Sequence, residues 1–427
     1  MHILYIHQHF STPAGKTGTR SYEFARRWVS AGHKVTLITG CYDIGGLESA
    51  GGLYRRFNID GINVVMVGTK YGNKQSYLRR IVSFISFCIL SIFAGLRIKN
   101  IDIIYATSTP LTVGITAMVL GRCKRKPFVF EVRDQWPEIP IQLGVIRNKV
   151  WIKLLLRLEK IIYGYGSAIV ALSPGMADSI KKVLPKQKAV VVIPNSCDVD
   201  IFKPDNDGQS VRQKFGWGNK LVLMHFGAMG KANGLDFVVN AAQRLQTSRD
   251  VHFVLLGDGS EKKSLVEKIN RLGLSNIEIL DALPRTDLAG FVAACDVSMV
   301  IFANYPLLEN NSANKFFDSL SAGKPILLNY SGWQREILET HNAGIGCDLC
   351  NIEQFVEKVL YFNTHREQLK SMGQNARRLA MEDFNRDKLA MQALALLKTA
   401  YEKKRLMLQS PIDSKAEDKV QDCRLLS

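Results

Sequence analysis

The sequence predicts an α/β protein of two domains, each a doubly wound parallel sheet covered by helices. Three observations carry that prediction. Short apolar runs rich in Val, Ile and Leu alternate with helix-like stretches through the first half, the same design starts again in the second half, and a polar joint separates the two. A chain of 427 residues also favours two or three domains over one, and 46% hydrophobic content with 22% charged residues is the composition of a chain that buries a core.

The predicted strands of the first half are "ILYIH" (3–7), "KVTLITG" (34–40), "INVVMVG" (62–68), "IDIIYAT" (101–107), "FVFEV" (128–132), "AIVALS" (168–173) and "AVVVIPN" (189–195). Those of the second are "LVLMHFG" (221–227), "VHFVLLGDG" (251–259), "IEILDAL" (277–283), "VSMVIF" (297–302) and "PILLNY" (325–330), with helix patterns such as "GLDFVVNAAQRLQ" and "TDLAGFVAACD" between them. The joint, "NSCDVDIFKPDNDG", carries the Asn, Pro and Gly of a linker. The expected domains are therefore 1–195 and 196–405, with the last helix free to return to the first domain, followed by a mobile tail over 406–427 that has lost periodicity.

The formal charge of +17 is unevenly distributed: residues 1–200 hold 27 Lys and Arg against 12 Asp and Glu, and the remainder 29 against 27. A basic first half suits an anionic membrane or a phosphorylated substrate. Nucleic acid is disfavoured, because the basic residues are not interleaved with aromatics and no zinc-finger or RNP signature is present. Between Arg79–Arg80 and Arg97–Lys99 runs "IVSFISFCILSIFAGL", sixteen residues without charge. That length falls short of the roughly 20 residues of a spanning helix. It leaves a buried core helix and a helix lying in a membrane surface as alternatives.

The eight cysteines are scattered as for reduced thiols, and Cys347-x-x-Cys350 stands alone without a second pair. The N-terminus reads as a strand rather than an export signal, so a cytoplasmic location is expected. Two D-x-D patterns, Asp198-x-Asp200 and Asp205-x-Asp207, fall in the joint and are expected to be solvated linker acids rather than metal ligands.

Glycine-rich turns follow the first strand of each half: "STPAGKTGTR" (11–20) with Gly15 and Gly18, and "FGAMGKANGLD" (226–236) with Gly227, Gly230 and Gly234. Glycines there let backbone N–H groups approach an anion at a helix N-terminus. Neither turn has the spacing of a P-loop or a dinucleotide fingerprint.

The ordered series "G-x-x-G-T-R", "EVRDQWPE" (131–138), "ALSPGM" (171–176), "VIPNSCDVDIF" (192–202), "FGAMGKANGLD", "LLGDG", "ACDVSMVIF" (294–302) and "SANKFFDSLSAGKPI" (312–326) resembles the retaining glycosyltransferase family 4. The nearest likeness is to bacterial surface-polysaccharide (O-antigen and capsule) enzymes that add N-acetylfucosamine-type sugars. The resemblance implies the GT-B fold, two Rossmann-like domains facing across a cleft, with a nucleotide-sugar donor, UDP-linked by expectation, in the second. It implies an acceptor in the first and no metal or other cofactor, and the basic first half with the basic-flanked run 81–96 adds the expectation of peripheral attachment to the inner face of the plasma membrane, where an undecaprenyl-diphosphate-linked saccharide is the expected acceptor. A nucleotide-sugar epimerase or hydrolase of the same fold, or a non-catalytic membrane-surface scaffold, is the alternative.

The family's E-x7-E motif maps its second acid, the ribose ligand, onto Asp318 and its first onto Asn310. Asn314 and Asp318 are four apart on the predicted helix, whose N-terminus is expected to face the donor diphosphate. The family's basic pair in the glycine loop maps onto Ala228 and Asn233, neither charged, so the cation opposite the leaving diphosphate must come from elsewhere. Lys315 is the first candidate, Lys231 the second, and Arg20 in the first domain's loop the third. Gly227, Gly230 and Arg285 are expected at the donor. The family's His-Asp after "FVFEV" maps onto Arg133 and Asp134, and Asp134 is assigned to sugar or acceptor hydroxyls.

Overall fold

The computed structural model describes residues 1–15, 18–42, 52–70, 77–184 and 188–409. The chain divides into two compact units: residues 1–12, 19–193 and 389 onward form unit 1, and residues 13–18 and 194–388 form unit 2.

Unit 1 is an eight-stranded sheet of β1 (His2–Ile6), β2 (Lys34–Cys41), β3 (Tyr54–Ile59), β4 (Ile62–Lys70), β5 (Ile103–Thr107), β6 (Phe128–Val132), β7 (Ala168–Ala171) and β8 (Val190–Val192). The order is β3-β4-β2-β1-β5-β6-β7-β8, parallel throughout except that β3 runs antiparallel to β4. Strands β1, β5, β6 and β7 are buried at every position, as continuous apolar runs under helices on both faces must be. Within this sheet the strand that sequence periodicity missed is β3. Its "YRRFNI" is a half-exposed edge strand, yet the turn into β4 is an Asp60-Gly61 pair with φ of 49° and 79°, a two-residue hairpin turn that needs positive φ at both positions.

One face of this sheet carries the helices Tyr77–Arg97, Thr112–Lys124 and Lys149–Tyr165, whose Phe87, Ala94, Ala117, Leu120 and Ile162 share a core with Leu4, Ile104 and Phe130. Glycines set the closeness of these helices. A Cβ on Gly95 would stand 2.4 Å from Leu120, and one on Gly114 2.4 Å from Ile162. The other face holds Trp28 and Phe24, and is completed by the chain's last described helix, Arg386–Gln409, through Leu389, Ala393, Leu394 and Leu397. The tail expected from 406 is helical through Gln409, and the rest of it lies outside the described residues.

Unit 2 is a six-stranded, wholly parallel sheet of β9 (Leu221–Ala228), β10 (Val251–Asp258), β11 (Ile277–Leu280), β12 (Val297–Val300), β13 (Ile326–Leu328) and β14 (Gly344–Gly346), ordered β11-β10-β9-β12-β13-β14. In each sheet the chain runs outward from one central strand and then returns to its other side. The switch falls between β1 and β5 in unit 1 and between β9 and β12 in unit 2. Open α/β sheets bind ligands at the carboxyl ends of the strands at such switch points.

Candidate functional site

At the switch point of unit 2 the end of β9 meets the helix Asn314–Ser321. This helix is buried from Lys315 through Ser321, anchored by Phe316 and Phe317 against Phe384 and Trp333, and by Ser319, whose hydroxyl lies 2.5 Å from that of Ser298 on β12. Its N-cap is Ala313, which offers no side-chain acceptor to the first-turn N–H groups. Neither Asn311 nor Ser312 caps it. Asn311 Oδ1 accepts from the Ser312 backbone, and Ser312 is bonded to Asn195.

Lys315 in the first turn is buried, a rare state for an unpaired lysine. Its Nζ lies 2.9 Å from Nε2 of His225, a fully buried residue of β9. With the Asn233 amide oriented so that its nitrogen donates to Ala228 O at 2.8 Å, its oxygen accepts from Lys315 Nζ at 3.2 Å. No carboxylate is within ion-pair distance of this ammonium among the described residues, and burial pulls its pKa down to about 7. Burial, and then the neighbouring Lys315, hold His225 well below its ordinary value, so the imidazole is neutral and accepts from the lysine. The position where the family carries a loop cation is therefore taken by an amide that touches a cation supplied from the helix.

Gly227 faces Lys315 with φ of 122°, a conformation that favours glycine; a Cβ there would make ordinary contact with the lysine stem at 3.5 Å. Gly257 is required by close approach, since its Cβ would fall 1.8 Å from Gly227 O. Gly230 has open space where a Cβ would stand, so nothing in the local packing demands glycine. Lys231 is exposed on the following turn, Asn314 is exposed at the helix start, and Asn310 is half-buried at the end of the short turn Pro306–Asn310.

Asp318 lies one turn beyond Lys315 and is held in a buried ionic network. Arg285 donates to both of its oxygens, at 2.8 and 3.1 Å, and also reaches Asp198 at 3.3 Å while lying over the Phe202 ring. Arg386 closes the network on Asp198 at 3.1 Å. Burial pushes the Asp318 carboxyl up and Arg285 pulls it only part of the way back. For Asp198 burial is outweighed by Arg386 and Arg285, and its carboxyl sits below the ordinary value.

Three expectations need correction here. Asn314 and Asp318 do not act as a pair, because the former is in solvent and the latter is buried. Arg285 is spent on Asp318 and Asp198, not held out to a ligand. Asp198 is not a solvated linker acid, although Asp200, Asp205 and Asp207 are exposed. A ribose contact by Asp318 is confined to the lone pairs that Arg285 leaves open.

In unit 1 the structure also corrects Arg20. Its guanidinium is buried and donates to Glu131 Oε1 from both Nε (2.9 Å) and Nη2 (2.8 Å), and to Ile193 O at 2.9 Å. A buried pair of this kind cannot release one member to a ligand without stranding the other's charge. Gly15 and Gly18 flank residues outside the described set; Gly15 is buried and Gly18 half-buried. Asp134 is exposed just past β6 and accepts from the Thr109 hydroxyl. Sequence reasoning missed His225. A lone histidine in an otherwise apolar strand, two residues before the loop glycine, was the available signal.

Residues 17–201 match the family model described as Glycosyltransferase Family 4, and residues 207–379 that described as Glycosyl transferases group 1. In sequence the chain is similar to a protein named probable glycosyltransferase WbjE of Pseudomonas aeruginosa, 24% identical over 262 residues, 60% of this chain and 64% of the relative. The match thus spans less than two thirds of that relative's length. In structure it resembles sucrose-phosphate synthase of Thermosynechococcus elongatus (TM-score 0.75, 13% identity, 94% of this chain and 99% of that one). It also resembles Anabaena HepE in complex with UDP-glucose (TM-score 0.69, 18% identity, 93% of this chain and 100% of that one). At these identities the likeness is one of fold, and that fold is GT-B.

Proposed function

The chain belongs to the glycosyltransferases of the GT-B fold, with a family 4 domain in residues 17–201 and a group 1 domain in residues 207–379, and on that premise we propose that it is a retaining hexosyltransferase. It moves an amino- or deoxyamino-hexose from a UDP-sugar to an undecaprenyl-diphosphate-linked saccharide in the synthesis of a surface polysaccharide such as O-antigen. The observation that carries this reading is Lys315, a buried ammonium without a counter-charge among the described residues, in the first turn of an uncapped helix at the switch point of unit 2. A cation beside a helix N-terminus is doubly unfavourable alone and becomes favourable when a diphosphate lies between them.

As the glycosidic bond breaks, negative charge grows on the leaving diphosphate. Lys315 and the helix N–H groups then stabilise it without reorganising. Lys231 on the exposed turn is a second cation for the same oxygens, and the open side of Gly230 and the backbone at Gly227 give the phosphates room. In this reading Asn314 and Asn310, which bracket the loop before the helix, meet sugar hydroxyls, and Asp318 takes a ribose hydroxyl on a remaining lone pair. A phosphate oxygen of the leaving group accepts the proton of the attacking hydroxyl, so the protein supplies no base. Asp134 holds acceptor hydroxyls. The positive charge comes from the protein, so the reaction needs no metal ion. A UDP-linked donor is supported by the likeness in fold to Anabaena HepE, whose structure holds UDP-glucose.

Attachment to the cytoplasmic face of an anionic membrane belongs to the same reading. On the helix Tyr77–Arg97, Val82, Ile85, Ile89, Phe93 and Leu96 form one stripe, exposed between 42% and 63%, while Phe87, Cys88, Ser91 and Ala94 are buried against the neighbouring helix. A helix held by its inner face lies in the interface instead of spanning it. On the same layer Val150, Trp151 and Leu154 are exposed beside Lys149, Lys153 and Arg157. No acid occurs between Arg79 and Lys99.

Incubation with a panel of UDP-hexoses and UDP-N-acetylhexosamines, with and without lipid-linked acceptor, tests the proposal. A glycosylated acceptor formed equally with and without EDTA is expected. Free sugar or an epimerised donor without acceptor would move the reading to a hydrolase or epimerase, and no turnover at all to a scaffold.

A further inference from the structure

At the amino ends of β12 and β13, the opposite end of the sheet from Lys315, unit 2 holds an open cavity of about 600 Å³. Its walls are Asp296 just before β12, Lys324 and Pro325 just before β13, and the helix Arg366–Glu382, which presents Arg366, Lys370 and Arg377. Positions 366, 370, 373 and 377 follow one another at helical spacing, so the three cations share one face with Gly373 between them. At that glycine the two walls meet backbone to backbone: a Cβ on Gly373 would stand 2.3 Å from the carbonyl oxygen of Gly323, itself at φ of 63° beyond the end of the helix Asn314–Ser321.

Four cations thus line one cavity, and none of them is in an ion pair among the described residues. The carboxylate on the wall is engaged elsewhere, since Asp296 Oδ2 accepts from Arg212 and from the Val222 N–H at 2.8 Å. Arg377 donates to the carbonyl oxygens of Ser321 (2.6 Å), Phe202 (3.1 Å) and Val199 (3.2 Å), Arg366 to those of Asn219 and Asp250 and to Asn363 Oδ1, and Lys324 to that of Ala293 at 2.7 Å. Neutral carbonyls fix these groups in place and leave their charge uncompensated. Lys370 is exposed and has no hydrogen-bond partner among the described residues. Arg366 and Lys370 are like charges four apart, and Arg366 stands at the positive end of the helix dipole, two penalties that an anion in the cavity would relieve.

We propose that this cavity binds a small ligand through a phosphate group, at a site separate from the donor site. Each arginine keeps N–H groups to give, Nε among them, and Lys324 and Lys370 add ammonium donors, so that phosphate oxygens meet forked and point charges together. The volume has room for a sugar phosphate as well as for inorganic pyrophosphate. The site owes nothing to Lys315, so the donor-site reading and this one stand or fall apart from each other.

Calorimetric titration of the full chain with inorganic pyrophosphate, glucose 6-phosphate and glucose, each alone, tests the site. At least one of the two phosphates should bind saturably and glucose should not; the tighter of the two identifies the source as a free anion or a phosphorylated organic molecule. Lys370→Gln and Lys370→Glu should melt like the parent and weaken that binding, by about threefold or more and by at least about tenfold. Lys315→Met should leave the component that Lys370→Glu removes unchanged. No binding of either phosphate would overturn the proposal. So would binding that both Lys370 variants leave untouched.

Discussion

Replacing Lys315 by Met should make the protein more stable and a worse binder at once. Burial lowers the ammonium from 10.5 to about 7, a penalty that at neutral pH is on the order of 4 kcal/mol. Methionine fills similar space without the charge. The substitution leaves His225 Nε2 and the Asn233 oxygen without their donor, which costs about 1–3 kcal/mol. The net gain of about 1–3 kcal/mol corresponds to a rise of roughly 2–12 °C in the melting of a unit this size. The sign depends on pH in a checkable way. The penalty is fully present below about 7 and fades as pH rises toward 10.5, so the parent should close the gap with the variant across that interval. Losing a charged donor to the diphosphate should weaken UDP by about 1.5–3 kcal/mol, roughly 10- to 150-fold, and lower kcat by about 10²-fold. Thermal melts with and without UDP, paired with calorimetry, read both effects. A variant that is less stable than the parent and binds UDP equally well would refute the reasoning and make Lys315 a packing residue.

Arg20→Met should destabilise unit 1 by about 3–5 kcal/mol in urea unfolding, because it strands Glu131 in the core; a variant of parental stability would return Arg20 to the list of ligand groups. Asp318→Asn separates anchoring from ribose contact: a loss of UDP affinity larger than the loss of pyrophosphate affinity marks the ribose, and equal losses mark the network alone. Ile85→Glu with Phe93→Glu should reduce cosedimentation with anionic vesicles at least tenfold, on the basis of two apolar side chains of about 1.5–3 kcal/mol each at the interface. Parental binding should fall with salt and be weak on neutral vesicles, and equal binding to both kinds would remove the membrane from the account.

Much of the fold was legible because both sheets are buried on two faces, which writes their strands as uninterrupted apolar runs. The missed strands are those that break this rule: β3 carries two arginines at a sheet edge, and β14 is three residues, two of them glycine. Lys315 was reachable from the absence of the family's loop cations together with its place in the first helical turn. The roles of Arg20, Arg285 and Asp198 were not. Their partners lie far off in sequence, Glu131 at 111 residues from Arg20 and Asp198 at 87 from Arg285. A linear pattern marks a charge but not whether the fold buries it beside its opposite. The i,i+4 spacing of Asn314 and Asp318 misled for a related reason, since at a helix start that is open on one side the first residue remains in solvent while its neighbours one turn on are covered.

The central claim is that the uncompensated charge of Lys315 is what the donor diphosphate answers, and proton uptake on binding tests it most directly. A UDP-sugar is the proper probe, because its two phosphates do not titrate near neutrality. With the free lysine at about 7, binding should draw in about half a proton per site at pH 7 and close to a whole one at pH 8, read from calorimetry in buffers of different ionisation enthalpy. The uptake should vanish in Lys315→Met. Binding with no net proton uptake at either pH, or uptake that persists unchanged in the variant, would contradict the account.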